Sequence, residues 1–169
     1  MRRLILFRHA KAAPRAPSGE DIDRPLDEQG LHDAALMGRV LADEGYCPDL
    51  ALVSSSRRTR ETWEQLSTAF PGVKSVVCDG LYNATAEEIL AEIDAEADGA
   101  GTVLVVAHNP GLHELAIELL VEGAASATEI DRVAAHFPTS TAAAFRLDEA
   151  GRASPDGLFK ARDYGGQDE

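Results

Sequence analysis

The chain has few cysteines and few aromatic residues: it contains two cysteines in 169 residues, and aromatic residues make up 5% of the composition. Cys47 and Cys78 are far apart and form no Cys-x-x-Cys pair, so the sequence offers neither a zinc-binding spacing nor a disulfide framework. A chain of this length can fold without a disulfide bridge, and we therefore expect two buried free thiols and no bound metal or other cofactor.

Positive charge is also scarce, because 16 lysines and arginines face 29 acidic residues and the formal net charge is -13. Such a chain lacks the basic face that displaces counterions from nucleic acid, which argues against nucleic acid as a partner. The apolar run 4–7 is far too short for a signal peptide or a membrane span. We therefore expect a cytoplasmic protein with no membrane partner, which leaves room for a small, local anion site.

Short apolar runs alternate with longer helix-like segments, which is typical of an α/β protein with a mostly parallel sheet. The predicted strands are 4–7, 50–54, 75–78, 102–107, 142–147 and, at an edge, 157–162. The predicted helices are 31–43, 59–70, one that begins at a Thr85–Glu88 capping box and one that Asn109 caps. The pattern predicts a three-layer α/β/α sandwich in one domain, 1–169, of which 163–169 form a flexible tail.

Histidines and arginines follow three of these strands. Arg8 and His9 follow the first strand, Arg58 follows the second, and His108 follows the most hydrophobic one. Because ligands bind at the carboxyl ends of parallel strands, these side chains are expected at one edge of the sheet. Any one of them alone would be an ordinary polar residue, but an accidental convergence of all of them is much less common.

This combination suits phosphoryl transfer. A neutral imidazole such as His9 is nucleophilic near neutral pH, and guanidinium groups such as Arg8 and Arg58 bind phosphoryl oxygens bidentately. We expect a protonated His108 to donate to a further oxygen. Asn109 and Gly111 are expected to add N–H groups at a helix N-terminus, where an anion is stabilised.

The same motifs resemble the histidine phosphatase superfamily, which has the phosphoglycerate mutase-like fold. The resemblance rests on Arg8-His9, a strand followed by Ser-x-x-x-Arg58-x-x-x-Thr62, and His108 after a hydrophobic strand. The short length, the segment 21–30 (Asp-x-Asp-Arg-Pro-Leu-x-x-x-Gly) and Ala-His-Asn-Pro-Gly at 107–111 resemble the SixA-type phosphohistidine phosphatase branch. The resemblance extends from Leu4 to about Leu120.

The resemblance implies that His9 is the phosphorylated nucleophile and that Arg8, Arg58 and His108 form the phosphate pocket, while Arg24 contacts phosphate near its rim. Arg57 would point to solvent. The family's usual Arg-His-Gly reads Arg-His-Ala here, which requires a negative φ at Ala10.

A second departure concerns the proton donor. Members that cleave phosphate esters carry a glutamate after the third strand as a general acid, whereas Asn83 stands in that region here. A missing acid suits phosphohistidine, whose imidazole leaving group is readily protonated. Asp21 is the alternative donor.

The sequence thus predicts a metal-independent phosphatase that acts through phosphorylated His9, with phosphohistidine on a protein as the preferred substrate. Two alternatives remain open at this stage. One is a phosphatase of small phosphomonoesters, and the other is a non-catalytic module that recognises phosphate.

Overall fold

The computed structural model describes residues 1–167, which contain six β-strands and five α-helices. The strands are β1 (Arg3–Arg8), β2 (Leu50–Ser54), β3 (Lys74–Cys78), β4 (Thr102–Ala107), β5 (Thr141–Leu147) and β6 (Ala153–Lys160). The helices are α1 (Glu28–Asp43), α2 (Arg57–Leu66), α3 (Ala86–Glu96), α4 (Gly111–Glu122) and α5 (Ala127–Ala135). Short 3-10 turns cover Asp21–Asp23, Ser67–Ala69, Asp79–Leu81 and Ala161–Tyr164.

The strands form one sheet in the order β3-β2-β4-β1-β5-β6. Strands β1 to β4 run parallel to one another, and β5 and β6 are antiparallel to their neighbours. The carboxyl ends of β2, β4 and β1 therefore lie side by side at one edge of the sheet. The predicted α/β fold with a mostly parallel sheet is confirmed.

Helices cover both faces of this sheet because successive strand residues point to opposite sides. In β1, Leu4 and Leu6 enter one hydrophobic core and Ile5 and Phe7 enter the other. The first core is closed by Ile89 of α3, Leu115 of α4 and Val133 of α5; the second is closed by Met37 of α1 and Trp63 of α2. This is the three-layer arrangement that the sequence predicts.

Helix starts follow from local capping residues. The Asp27 carboxylate accepts from Gly30 N at 2.8 Å and starts α1 earlier than predicted, while Ser56 does the same for α2. The Thr85–Glu88 capping box of α3 is confirmed. Helix α5 is not among the predicted helices, although a Ser126-x-x-Glu129 capping box marks its start.

The predicted cap of α4 is wrong. Pro110 occupies the N-cap position, and the Asn109 side chain turns away from the helix to donate from Nδ2 to Phe137 O at 2.9 Å. A long-range partner from the segment before β5 thus overrides the local capping preference.

The tail predicted to begin at residue 163 starts inside a 3-10 turn, and its flexibility stays a prediction. Asp163 and Tyr164 belong to the last 3-10 turn, and Gln167 N donates to the buried Asp33 carboxylate at 3.3 Å. Residues 168 and 169 lie outside the described part of the chain. That the whole chain is one domain stays a prediction, although strands from both ends of the chain share the sheet.

Two smaller expectations can be compared with the structure. Cys78 is buried as expected, whereas Cys47 is exposed because it lies in the loop between α1 and β2; both are free thiols. Among residues 1–167, none of the helices combines the length and the apolar character that crossing a membrane requires.

Candidate active site

The ends of β1, β2 and β4 surround a polar cavity at the carboxyl edge of the sheet. Parallel pairing places Arg8 beside Ala107, so that His9 and His108 leave adjacent strands at the same level, with ring centroids 5.3 Å apart. The cavity has a volume of about 210 Å³. It is lined by Arg8, His9, Ala12, Arg24, Arg58, Asn83, His108 and Asn109. The convergence expected from the three strand ends is therefore present.

His9 is held in one tautomer by the backbone carbonyl of the next residue. Its Nδ1 lies 2.7 Å from the Ala10 carbonyl, which can only accept, so Nδ1 carries the proton and Nε2 keeps a free lone pair. Burial lowers the pKa of His9 well below its ordinary value; the hydrogen bond to Ala10 opposes this, and the charges of Arg58 and Arg8 reinforce it. At neutral pH the ring is thus a neutral base.

The turn after His9 is fixed by Thr62 of α2. Ala10 N donates to Thr62 Oγ1 at 3.0 Å, and the same hydroxyl donates to Arg58 O at 2.6 Å. Ala10 is fully buried and is not among the described residues with positive φ, so its methyl group is accommodated without a left-handed backbone. Thr62 therefore couples the His9 turn to the first turn of α2.

The start of α2 sends one arginine inward and its neighbour outward. Arg58 is 4% exposed and donates from its two terminal nitrogens to Asp21 O and Asp21 Oδ2 at 3.0 and 3.1 Å. Its Nε is buried and makes no hydrogen bond within residues 1–167. Arg57 points outward and pairs with Glu61 at 2.8 Å, as the sequence predicts.

His108, the second histidine of the site, is neutral in this state of the molecule. Its Nε2 lies 2.7 Å from Ser54 Oγ, and its Nδ1 lies 3.4 Å from an Arg58 nitrogen. A guanidinium only donates, so Nδ1 accepts and the proton resides on Nε2. Burial, and then the charge of Arg58, lower the pKa of His108 to about 3. The expectation that His108 is protonated is wrong for this state, because Arg58 occupies the side of the ring where the second proton would be.

Tyr82 and Asn83 follow β3: Asn83 lines the cavity, and Tyr82 contacts the side chains that line it. The Tyr82 ring meets His108 edge-on, with centroids 5.6 Å apart, and lies 5.9 Å from Cζ of Arg58. Its hydroxyl donates to Asp21 Oδ2 at 2.6 Å. Asn83 lines the cavity with a φ of 53°, a left-handed conformation that asparagine adopts more readily than most residues. The residue at the place of the expected acid is therefore an amide.

Comparison with known proteins agrees with this geometry. The model of the histidine phosphatase superfamily (branch 1) matches residues 4–85. An uncharacterized protein of Mycobacterium tuberculosis is 34% identical over 142 residues, which cover 83% of this chain and 87% of the relative. The chain belongs to the histidine phosphatase superfamily.

Within this superfamily the chain is of the SixA type. The crystal structure of a candidate phosphohistidine phosphatase SixA from Agrobacterium tumefaciens superimposes with a TM-score of 0.82 and 32% identity, covering 94% of this chain and 97% of that one. Phosphoglycerate mutase from Plasmodium falciparum shares the fold alone, with a TM-score of 0.63 and 17% identity over 94% of this chain and 90% of that one. The family match and the SixA-type neighbours together support a phosphatase of the hydrolase class.

Asp21 does not have the properties of a proton donor in this histidine phosphatase. The hydrogen bond from Tyr82 lowers its pKa most; burial opposes this, and the charge of Arg58 and the contact with Arg24 lower the pKa further, to about 2. A general acid has to hold a proton at the working pH, and this carboxyl is ionised there. The structure therefore gives no support to the role of proton donor that the sequence left open for Asp21.

The remaining predicted residues separate into two groups. Arg24 and Asn109 line the cavity, and Arg24 donates to Asp21 Oδ1 at 2.9 Å. Gly111 is not part of the lining; it packs so closely against the carbonyl of Ala84 that a side chain would collide with it. This packing explains the glycine, and a contact between its N–H and substrate stays a prediction.

Sequence reasoning assigned no role to two polar residues of the site. Ser54 ends β2 and contacts His108; it is the first residue of the Ser-x-x-x-Arg58 motif, but the motif alone did not indicate its partner. Tyr82 reaches the site from the loop after β3, and no pattern around it indicates a contact with Asp21.

Proposed function

We propose that this histidine phosphatase hydrolyses phosphohistidine on proteins through a phosphoryl intermediate on His9. Support comes from the His9 ring itself: it is neutral, its Nδ1 proton is fixed on Ala10 O, and its Nε2 lone pair is free for attack. A neutral imidazole in this state is a competent nucleophile without a separate base.

In the first step, His9 Nε2 forms a bond to phosphorus while the bond from phosphorus to the substrate nitrogen breaks. The bonding electron pair stays on the departing ring, whose other nitrogen carries a proton, so the ring leaves as neutral imidazole. His9 becomes a phosphorylated imidazolium, and its Nδ1–H keeps the hydrogen bond to Ala10 O. A charged donor strengthens that hydrogen bond, which favours the intermediate.

In this mechanism the arginines bind the phosphoryl oxygens. Arg58 contributes its buried guanidinium, Arg8 approaches from β1, and Arg24 lies at the rim. Charge spreads over the three equatorial oxygens in the transition state, and fixed guanidinium groups stabilise it without rearrangement. A bound phosphoryl dianion also favours a proton on His108 Nδ1, which then becomes a donor to it.

In the second step, a water oxygen bonds to phosphorus and the electron pair of the phosphorus–nitrogen bond returns to His9 Nε2. Phosphate departs and the proton lost by water passes to phosphate or solvent. This step cleaves a bond between phosphorus and an imidazole nitrogen, the same kind of bond that phosphohistidine presents in the first step.

The observation that carries the substrate assignment is the side chain at position 83. Asn83 is an amide, and the Asp21 carboxyl that contacts Arg58 is ionised, so neither supplies a proton to an alkoxide leaving group. An ester of an alcohol needs that proton, whereas an imidazole does not. The pocket therefore suits phosphohistidine better than a sugar phosphate.

The test compares kcat/KM for a phosphohistidine-bearing carrier protein, phenyl phosphate and a panel of phosphorylated metabolites. We expect the carrier protein to be the best substrate and His9→Ala to abolish its turnover while the fold is retained. A preference for the metabolites would replace this proposal by a small-molecule phosphomonoesterase. Failure of every phosphodonor would indicate a module that only recognises phosphate.

A further inference from the structure

A second cavity opens next to the one that holds the catalytic groups. It has a volume of about 400 Å³ and is formed by the loop between β1 and α1, with residues 14–16, 19–21 and Arg24 in its wall. Arg24 lines both cavities, so they meet at its side chain. Asp21 lines only the outer one, which puts its carboxylate just outside the phosphate cavity.

The Asp21 carboxylate is fixed in place by three donors. Oδ1 accepts from Arg24 at 2.9 Å, and Oδ2 accepts from Arg58 at 3.1 Å and from the Tyr82 hydroxyl at 2.6 Å. An ionised carboxylate has about four lone-pair sites, so one acceptor site is left. The Asp21 side chain is 52% exposed, and that site is therefore within reach of a ligand.

We propose that the outer cavity receives the leaving group and that Asp21 is a specificity-determining residue, which favours an imidazole ring that is protonated while it is bonded to phosphorus over leaving groups that carry no such proton. This inference rests on the proposed function, since it assigns a residue to the leaving ring of phosphohistidine. The ring nitrogen that is not bonded to phosphorus carries a proton and donates it as a hydrogen bond to the carboxylate. When the bond between phosphorus and nitrogen breaks, this proton stays on the ring, and no proton transfer to or from Asp21 is needed.

The opposite effect is expected for esters. The oxygen of a departing phenolate gains negative charge in the transition state, and a fixed carboxylate next to it is repulsive. The same residue thus raises the rate with one class of leaving group and lowers it with the other. A residue that merely held Arg58 and Arg24 in place would affect both classes alike, because both share the phosphoryl group.

Charged and titratable groups from several elements surround Asp21. The groups that face it are Arg24 from its own turn, Arg58 of α2, Tyr82 from the loop after β3 and, at longer range, His108 after β4; Arg15 and Glu20 share the outer cavity. Near a fixed carboxylate the ring of bound phosphohistidine keeps its proton to a higher pH. The alkaline limb of kcat for phosphohistidine reports that proton, and phenyl phosphate has no equivalent.

The experiment uses the full chain with two probes, the amino acid phosphohistidine and phenyl phosphate. Asp21→Asn is expected to lower the ratio of their kcat/KM values about tenfold or more and to move the alkaline limb of kcat for phosphohistidine to lower pH. Asp23→Asn makes the same charge change two positions away, at a carboxylate that accepts from Ser18. This control is expected to leave both the ratio of kcat/KM values and the alkaline limb of kcat unchanged. Asp21→Glu keeps the charge and is expected to restore most of the ratio.

An equal loss of activity with both probes in Asp21→Asn, with no movement of the alkaline limb, would overturn the inference and make Asp21 a positioning residue only. A ratio that falls as far in Asp23→Asn would also overturn it. Failure of the proposed function looks different, because the wild-type chain itself would then prefer phenyl phosphate and the metabolite esters.

Discussion

Ser54 Oγ lies 2.7 Å from Nε2 of His108, at the point where β2 ends beside β4. Both residues are buried. Because Arg58 donates to Nδ1 of His108, the proton of the ring is on Nε2 and the Ser54 hydroxyl accepts it. The Nδ1 edge of His108 is thereby turned toward Arg58 and the cavity.

Loss of this hydroxyl is predicted to weaken catalysis. In Ser54→Ala the Nε2 proton of His108 remains buried without its acceptor, a loss of about 1–3 kcal/mol. We expect kcat to fall about tenfold or more, with a smaller change in KM, because the ring matters most when charge develops on the phosphoryl group. Ser55→Ala is the matched control, since Ser55 makes no side-chain hydrogen bond among the described residues. Equal kcat values in the two variants would contradict this role.

The two neighbouring arginines of α2 provide a second pair of variants. Arg58→Ala removes a buried, preorganised donor and is predicted to cost about 2–4 kcal/mol of transition-state stabilisation, measured as the fall in kcat/KM. Arg57→Ala removes the same charge one position away, where it forms an exposed pair with Glu61. Exposed pairs contribute about 0–1 kcal/mol to stability, and we expect near-normal kcat/KM. Similar losses in both variants would show that only the overall positive charge matters.

Thr62 is predicted to stabilise the fold as well as the site. Thr62→Val keeps the shape but leaves Ala10 N without its acceptor, which we expect to lower the free energy of unfolding by about 1–3 kcal/mol. Thr62→Ser retains the hydroxyl and should lose less. Chemical denaturation of both variants measures the difference, and a Thr62→Val chain as stable as Thr62→Ser would refute the assignment.

Stability is predicted to depend on the neutral histidines. The pKa of His108 is about 3 in the folded chain against an ordinary value of 6.5, so below pH 6.5 the unfolded chain binds more protons than the folded one. The contribution of neutral His108 to the free energy of unfolding is therefore fully present above pH 6.5 and is lost as the pH falls toward 3. His108→Gln should reduce this slope by up to about 1.4 kcal/mol per pH unit in urea unfolding at mildly acidic pH. An unchanged slope would contradict the neutral assignment of His108.

Much of the fold and the central residues of the site could be predicted because they depend on short-range patterns. His9 and His108 directly follow hydrophobic strands, and parallel pairing alone brings them together. Ser56 starts α2, and helix geometry then directs Arg58 inward and its neighbour Arg57 outward. These relations follow from strand register and helix geometry.

The parts that could not be predicted depend on contacts between loops. Asp21 and Tyr82 lie in different irregular segments, and their hydrogen bond decides that Asp21 is an anion and not an acid. The close packing of Gly111 against Ala84 could not be predicted, because a glycine after a strand is compatible both with an anion site and with close packing. Asn109 was misassigned as the cap of α4 because its partner, Phe137 O, belongs to a segment far along the chain.

The central claim is that phosphoryl transfer passes from phosphohistidine to His9. The most direct measurement is a rapid-quench experiment in which a carrier protein with a radiolabelled phosphohistidine is mixed with the chain and quenched in base, and the labelled peptide is mapped. The account predicts transient, acid-labile label on the peptide that contains His9, its decay into inorganic phosphate, and no label in His9→Ala. Release of phosphate at the full rate without label on His9, or label on His108 instead, would contradict the account.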